Sequence, residues 1–444
     1  MAAGLCGNRN SLAGFSRTAA NTPTGMTARA KIIFSSPLTY WAVIFNVLGI
    51  FTWGFGPLTF VCLLTAAYVM FALVRGRAPA TVGRDLFAVP DLDAPPGRKL
   101  KFAFYFVIGM TLVGALVGLL VAPNTWLMDI ALNTYLAAEN FAYGVNPYGS
   151  LSQAWHTMNA GTPHVEVRDG QVYMFGVPYY YGYPYFPAMM LGYLPFTFFI
   201  DGYDSIRIGN VVFALANVYG LCLLMKSARR LILQMIVIVA YLCIGVYWIE
   251  IFWHGIVDVL LSTFLIYAFV CLQRDQYVGA GIFLGLAQAA KLLPAPLIAV
   301  CILYYLFRRP GFWKFSIAYA LTGVAVVLPF LLWDPQAFLS ATILFYLSFH
   351  SVGDNTSLWY FLPEILQAPF LWSGYLATLV TIFLFIRRKT ADWVDVMAAA
   401  FASYLVFVAF SKMSHLNYLW GVYPLGCAAF AILLGRLSDH AARD

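Results

Sequence analysis

The chain has 444 residues, of which 62% are hydrophobic, 17% aromatic and 10% charged, and its mean hydropathy is +0.78. Soluble domains carry about 25% charged residues, so these proportions exclude a soluble enzyme, a disordered scaffold and a nucleic-acid binder, and predict a polytopic membrane protein. The net charge of +7 then reads as a topology signal, because Lys and Arg cluster in alternate loops.

Residues 1–36 are polar, lack the apolar stretch of a secretory signal and are expected to be a disordered tail, with Met26 as an alternative start. Crossing a bilayer takes roughly 20 apolar residues. The run 37–74 is long enough for two spans, with Gly54-Phe55-Gly56-Pro57 as the turn. Further spans are predicted over 101–122, 206–225, 231–252, 255–272, 315–333, 369–386, 394–410 and 416–434. The stretch 278–307 is interrupted by Lys291, Pro294 and Pro296, which predicts a hairpin of half-helices. Pro184, Pro187 and Pro195 make 184–200 an interfacial or re-entrant piece. Six of the seven Cys, at 62, 222, 243, 271, 301 and 427, fall in these apolar stretches and read as small core hydrophobes. The expected architecture is all-α: one transmembrane bundle over 37–436 with about 10 to 12 membrane segments, followed by a cytoplasmic tail, 437–444.

Basic residues gather at 75–99, 226–230, 274, 308–314, 387–389 and 436, and these loops are assigned to the cytoplasm. The loops 123–183, with Arg168 as its single Lys or Arg, and 334–368, with none, face the other side. Asp129, Glu139, His156, His164, His254, Asp258, His350, Asp354, Lys412, His415 and Asn417 all fall at or near that far face. A site at the extracytoplasmic membrane surface is the simplest inference.

Several of these residues have two readings. Asp129 opens a short interfacial helix, either as its N-cap or as a general base, with Glu139 a weaker base. The turn ending in Tyr148 and the run Tyr179 to Tyr185, including Tyr181 and Tyr183, form either an interfacial aromatic belt or a carbohydrate platform. His254 and Asp258 stand four apart and would share a helix face; a carboxylate inside a span is either functional or bonded to a neighbouring helix. No metal set is expected there, since the two-His-plus-carboxylate pattern is lacking. Lys291, beside backbone freed by two prolines, needs an anion or an acid, and a phosphate is favoured. His350, Asp354 and Asn355 lie in a polar turn, and Lys412, His415 and Asn417 put a cation, an imidazole and an amide into the first turn of the last span, where they could hold a phosphate or cap the helix.

In order along the chain, these pieces resemble the GT-C superfamily of integral-membrane glycosyltransferases, most closely glycosyltransferase family 87, whose members use polyprenyl-phosphate-linked mannose or arabinose. The resemblance is carried by the acid before Gly144-x-Asn146-Pro147-Tyr148, by Tyr183-Pro184-x-x-Pro187, His254-Gly255-x-x-Asp258, Ala290-Lys291-Leu292-x-Pro294, Asn355-x-Ser357-Leu358 and the turn from Ser411 to Tyr418. It implies inverting transfer of a sugar, mannose foremost, from a polyprenyl-phosphate donor to a lipid-linked or glycan acceptor, without nucleotide, metal or other cofactor. Asp129 would be the base; Lys291, Lys412 and His415 would hold the donor phosphate; and Glu139, Tyr148, Tyr181, Tyr183, His254, Asp258, His350, Asp354, Asn355 and Asn417 would contact substrate. One departure from the family pattern is Asn133, four residues after the acid, where relatives often place an aromatic. The implied location is the inner (plasma) membrane. The competing classes are a lipid-diphosphate-dependent ligase or polymerase, a non-catalytic assembly subunit, and a transporter or flippase, although no repeat relates the two halves as many transporters require.

Overall fold

The computed structural model describes residues 66–68, 70–71, 96–123, 127–149, 165–168, 171–174, 177–178, 182–200, 202–225, 231–242, 245–307, 309–344, 357–358, 362–363, 365–366, 373–386, 391–411 and 416–441. The polar tail and nearly all of the expected 37–74 hairpin lie outside these residues.

The helices in order are α1 (Arg98–Leu120), α2 (Asp129–Ala142), α3 (Pro187–Thr197), α4 (Asp204–Met225), α5 (Leu231–Leu242), α6 (Gly245–Phe252), α7 (Asp258–Gln273), α8 (Tyr277–Gln288), α9 (Ala295–Leu306), α10 (Phe312–Trp333), α11 (Ser373–Ile386), α12 (Trp393–Phe410) and α13 (Tyr423–Ala441). Among the described residues α1, α4, α10 and α12 are long and apolar enough to cross a membrane by length and composition. The 23 residues of α1 rise about 34 Å at 1.5 Å each, more than a hydrocarbon core of about 30 Å. α1 and α10 turn large apolar side chains outward, including Phe102, Phe106, Leu116, Ile317, Leu321 and Leu332, all more than half exposed, as lipid-facing helices do. α12 is apolar all round and largely buried, so it lies inside the bundle.

Contacts between helices fix the relative direction of several of them. Gln273 donates to the Leu224 carbonyl and Tyr267 to that of Ala216, while Asn210 reaches the Ile256 carbonyl, so α4 and α7 run parallel. α8 and α10 also run parallel, because Gly281 faces Phe315 and Ala318 while Gly285 faces Tyr319 and Thr322. A Cβ at Gly281 would come within 2.5 Å of the Phe315 carbonyl oxygen, so glycine is what permits this approach. α9 returns between them: Gly311 lies against Tyr277, and Arg309 donates to the Ala391 carbonyl. There Arg436 pairs with Asp392 at 2.5 Å, and Asp392 and Asp395 form a capping box at the start of α12. Arg274, Arg309, Lys314 and Arg436 therefore share one basic end of the bundle.

The hairpin expected over 278–307 is present as α8 and α9, twelve residues each, about 18 Å long, joined at residues 289–294. α3 has eleven residues, about 16 Å, too short to span, in keeping with its prolines.

The opposite end carries α2 and the segment leading to α3. A three-stranded antiparallel sheet, β1 (Val165–Arg168), β2 (Gln171–Met174) and β3 (Val177–Pro178), adds to the helical plan where a loop was expected. Three local expectations are corrected. Gly255 adopts φ +72 and α7 starts only at Asp258, so His254 lies in the preceding turn and does not share a helix face with Asp258. The last helix begins at Tyr423, with Pro424 in its first turn, and a 3-10 turn, 416–419, comes before it; the Ser411 to Tyr418 segment is therefore a connection, not a first helical turn. The stretch 231–252, read as one helix, divides into α5 and α6.

Candidate active site

Pro294 and Pro296 end the helical bonding of the α8–α9 hairpin and leave residues 289–290 with free carbonyls. Chain entering α3 takes them up: Ala188 N–H donates to the Ala289 carbonyl at 2.7 Å and Phe186 N–H to that of Ala290 at 3.2 Å. This is the satisfaction that irregular backbone needs at membrane depth. It also fixes the next residue, Lys291, which is 8% exposed.

The Lys291 ammonium lies 2.7 Å from Asp258 Oδ1, and Asp258 is fully buried. Asp258 is the first residue of α7, where a carboxylate meets unpaired helix N–H groups and the positive end of the dipole. α7 rises about 24 Å from the basic end, which sets the pair in the opposite half of the bundle. The ammonium also stands 4.9 Å from the Tyr418 ring centroid and 5.8 Å from that of Tyr185, within cation–π range. Asp258 Oδ2 has no hydrogen-bond partner among the described residues. A cation in a tyrosine-lined, water-poor recess can bind an anion through its remaining N–H donors.

Buried tyrosines build the wall. Tyr183 OH and Thr134 Oγ1 are 3.3 Å apart, tying the α3 entry to α2. Tyr148 OH donates to the Tyr185 carbonyl at 3.0 Å, and burial pushes that phenol well above its ordinary range, so it stays a donor. Tyr193 donates to Asn210 and lies near the Val257 carbonyl.

Asp129 is exposed and is the first residue of α2; Met128 occupies the N-cap position. Its Oδ1 accepts the Ile130 N–H at 2.8 Å. Met128 N–H donates to the His254 carbonyl at 2.9 Å, and Gly255 packs on Ala131 and Leu127, so this end of α2 rests on the turn that leads into Asp258. Glu139 sits ten residues on, roughly 15 Å along the axis. It accepts from Tyr135 OH at 3.1 Å; burial, with the Glu139 charge, pushes that phenol up to about 12. The two acids therefore serve different ends of α2. His254 has a buried Nδ1 without a described partner, and burial lowers its pKa.

Tyr181, His350, Asp354, Asn355, Lys412 and His415 lie outside the described residues, as does the Asn417 side chain. Ser411, which ends α12, and Tyr418, on Lys291, bracket Lys412, His415 and Asn417. An apolar groove of about 320 Å³, lined by Phe186, Gln288, Tyr319, Val324 and Leu331 among others, runs along α10 to the hairpin break. Sequence reasoning passed over Glu250 and Trp420, which are buried and hydrogen-bonded to each other; a lone acid in an apolar span was the available signal.

Two solved structures of ArnT from Cupriavidus metallidurans resemble the chain. The form bound to undecaprenyl phosphate has 18% identity, covers 76% of this chain and 60% of its own, and gives a TM-score of 0.46. The apo form has 18% identity, coverage of 77% and 60%, and a TM-score of 0.44. The chain thus spans 60% of the length of those proteins. No curated protein matches it. The profile of glycosyltransferase family 87 matches residues 183–413, just over half of the 444 and inclusive of α3 to α12, Asp258 and Lys291. On that match, the chain belongs to glycosyltransferase family 87.

Proposed function

We propose that the protein is an inverting glycosyltransferase that moves a sugar, mannose foremost, from a polyprenyl-phosphate donor to a lipid-linked or glycan acceptor at the extracytoplasmic face of the inner membrane. The observation that carries this reading is Lys291: a lysine at a proline-broken hairpin tip, deep in an apolar bundle and flanked by Tyr185 and Tyr418, with an apolar groove whose lining includes Gln288 and Phe186 beside that break. That combination suits a ligand with a long hydrocarbon tail and an anionic head. The tail would lie along α10, and the phosphate would meet the ammonium beside Asp258.

In the reaction the acceptor hydroxyl attacks the anomeric carbon while the bond from that carbon to the phosphate oxygen breaks, and the phosphate leaves with the electron pair. Negative charge grows on the leaving oxygens, where Lys291, with Lys412 and His415, would stabilise it in a low-dielectric setting. Asp129, at the solvent-exposed start of α2, would take the hydroxyl proton. A single displacement inverts the anomeric centre and requires one carboxylate base, whereas a retaining route would need a second as nucleophile.

The test is transfer of radiolabelled mannose from synthetic polyprenyl-phosphate-mannose to a membrane lipid extract by purified protein and by its Asp129→Asn variant. Transfer by wild type that falls by at least a hundredfold in a folded variant is the expected result. Transfer that survives moves the base to Glu139 or Asp258. Failure with both mannose and arabinose donors, alongside transfer from a lipid diphosphate, overturns the donor class.

A further inference from the structure

Glu250 is an acid within the apolar helix α6 and is 3% exposed. Its carboxylate accepts the indole N–H of Trp420, a residue 170 positions later that is itself 4% exposed. The Trp420 backbone is held too, because its carbonyl lies 3.0 Å from the hydroxyl of Ser262, one turn past Asp258 on α7. Next along the chain, a Cβ at Gly421 would stand 2.7 Å from Leu261 Cδ2 and 3.8 Å from Asp258 Oδ1, so the segment lies flat on the α7 turn that carries the acid. Two residues before Trp420, Tyr418 puts its ring 4.9 Å from the Lys291 ammonium. Trp420 also meets the Tyr247 ring in a T-shaped contact at 5.0 Å, so α6 holds the indole through its ring as well as its N–H.

An acid in an apolar span is costly, and what it gains here is one contact that no apolar side chain can make. We infer that Glu250 is a positioning residue for the sugar-phosphate site: by holding the Trp420 indole it fixes residues 416–422 against α6 and α7 and so keeps the Tyr418 ring on Lys291. The group that matters is the acceptor oxygen and not the charge. The kinetic consequence rests on the reading of Lys291 as the donor-phosphate ligand; the anchoring does not.

Hydrogen–deuterium exchange of the purified full-length chain tests the anchoring without reference to activity. Glu250→Gln keeps a carbonyl acceptor and is expected to exchange like wild type over 416–422. Glu250→Leu and Trp420→Phe should each speed exchange there by at least tenfold and leave α4 and α8 unchanged, and the double variant should be no faster than either. In transfer assays the same two variants should raise donor KM at least fivefold with kcat within twofold, while Glu250→Gln is spared. Wild-type exchange in Glu250→Leu, a Glu250→Gln variant as loose as Glu250→Leu, or loosening spread evenly through α4 and α8 would each overturn the inference. Local loosening in a protein that transfers no sugar from a polyprenyl-phosphate donor would support the anchoring and overturn only the function it serves.

Discussion

Removing the Asp258 carboxylate is expected to destabilise the protein far more than removing both members of its ion pair. At 2.7 Å and an effective dielectric of about 20, the Coulomb attraction is about 6 kcal/mol. Desolvation opposes it, since Asp258 is fully buried and the Lys291 side chain is 10% exposed, and each buried ion costs several kcal/mol. The net value of the pair is therefore small, but losing one partner leaves the other charge uncompensated, at about 3–5 kcal/mol. Asp258→Ala should lose that amount, and Lys291→Met a comparable one because it strands a carboxylate. The double variant should lie within about 2 kcal/mol of wild type, a coupling on the order of 3 kcal/mol or more. Equilibrium unfolding by detergent titration in mixed micelles, run on all four proteins, measures the cycle. Single effects that simply add would refute the claim that the two charges stabilise each other, and a double variant as unstable as Asp258→Ala alone would refute the claim that a stranded charge is what the single variants suffer from.

Two further outcomes follow from the packing and from burial. Gly281→Ala should cost about 1–3 kcal/mol by forcing α8 off the Phe315 carbonyl, whereas Gly323→Ala, whose new Cβ meets nothing within 4 Å, should be neutral or mildly stabilising; the same titration distinguishes them. His254 has its pKa lowered by burial from an ordinary 6.5, so the folded state binds fewer protons than the unfolded chain at acid pH. Its contribution is intact above pH 6.5 and is lost as pH falls from 6.5 through the lower folded pKa, so wild type should lose more thermal stability than His254→Asn between pH 7.5 and 5.5; an equal loss would exclude His254 as the source.

Among the described residues the four long apolar helices were legible in the sequence because length and polarity alone mark them, whereas the expected spans 231–252 and 416–434 were not reproduced as single helices. The predicted 394–410 differs from α12 by one residue, and 206–225 from α4 by two. Prolines made α3 and the α8–α9 break equally readable, since a missing N–H acts locally. Partner choice was not legible. Asp258 and Lys291 each stood out as costly ions, yet their pairing across 33 residues depends on how α7 packs against the hairpin. Glu250 and Trp420 lie further apart still and carry no shared motif. The four-residue spacing of His254 and Asp258 misled, because a helical-face argument assumes continuous helix and Gly255 breaks it with a positive φ. The small sheet left a faint trace in alternating Val165, Val167, Val172 and Met174 and in Asp169-Gly170, a favoured hairpin pair, but four-residue strands barely rise above the background of a polar loop.

The hairpin that carries Lys291 also bears on biogenesis. α8 and α9 enter and leave from the same basic end, so the lysine never has to pass through the whole bilayer. A ribosome makes Asp258 first, 33 residues ahead, at the head of a helix that precedes the hairpin. The acid is thus in place before the base arrives, and insertion of the hairpin delivers an ionised lysine to a waiting carboxylate rather than to lipid. Until the hairpin arrives the acid stands unpaired at the head of α7, at about 2.5–3.5 kcal/mol by insertion scales, so insertion of the hairpin removes the cost of both ions in one step.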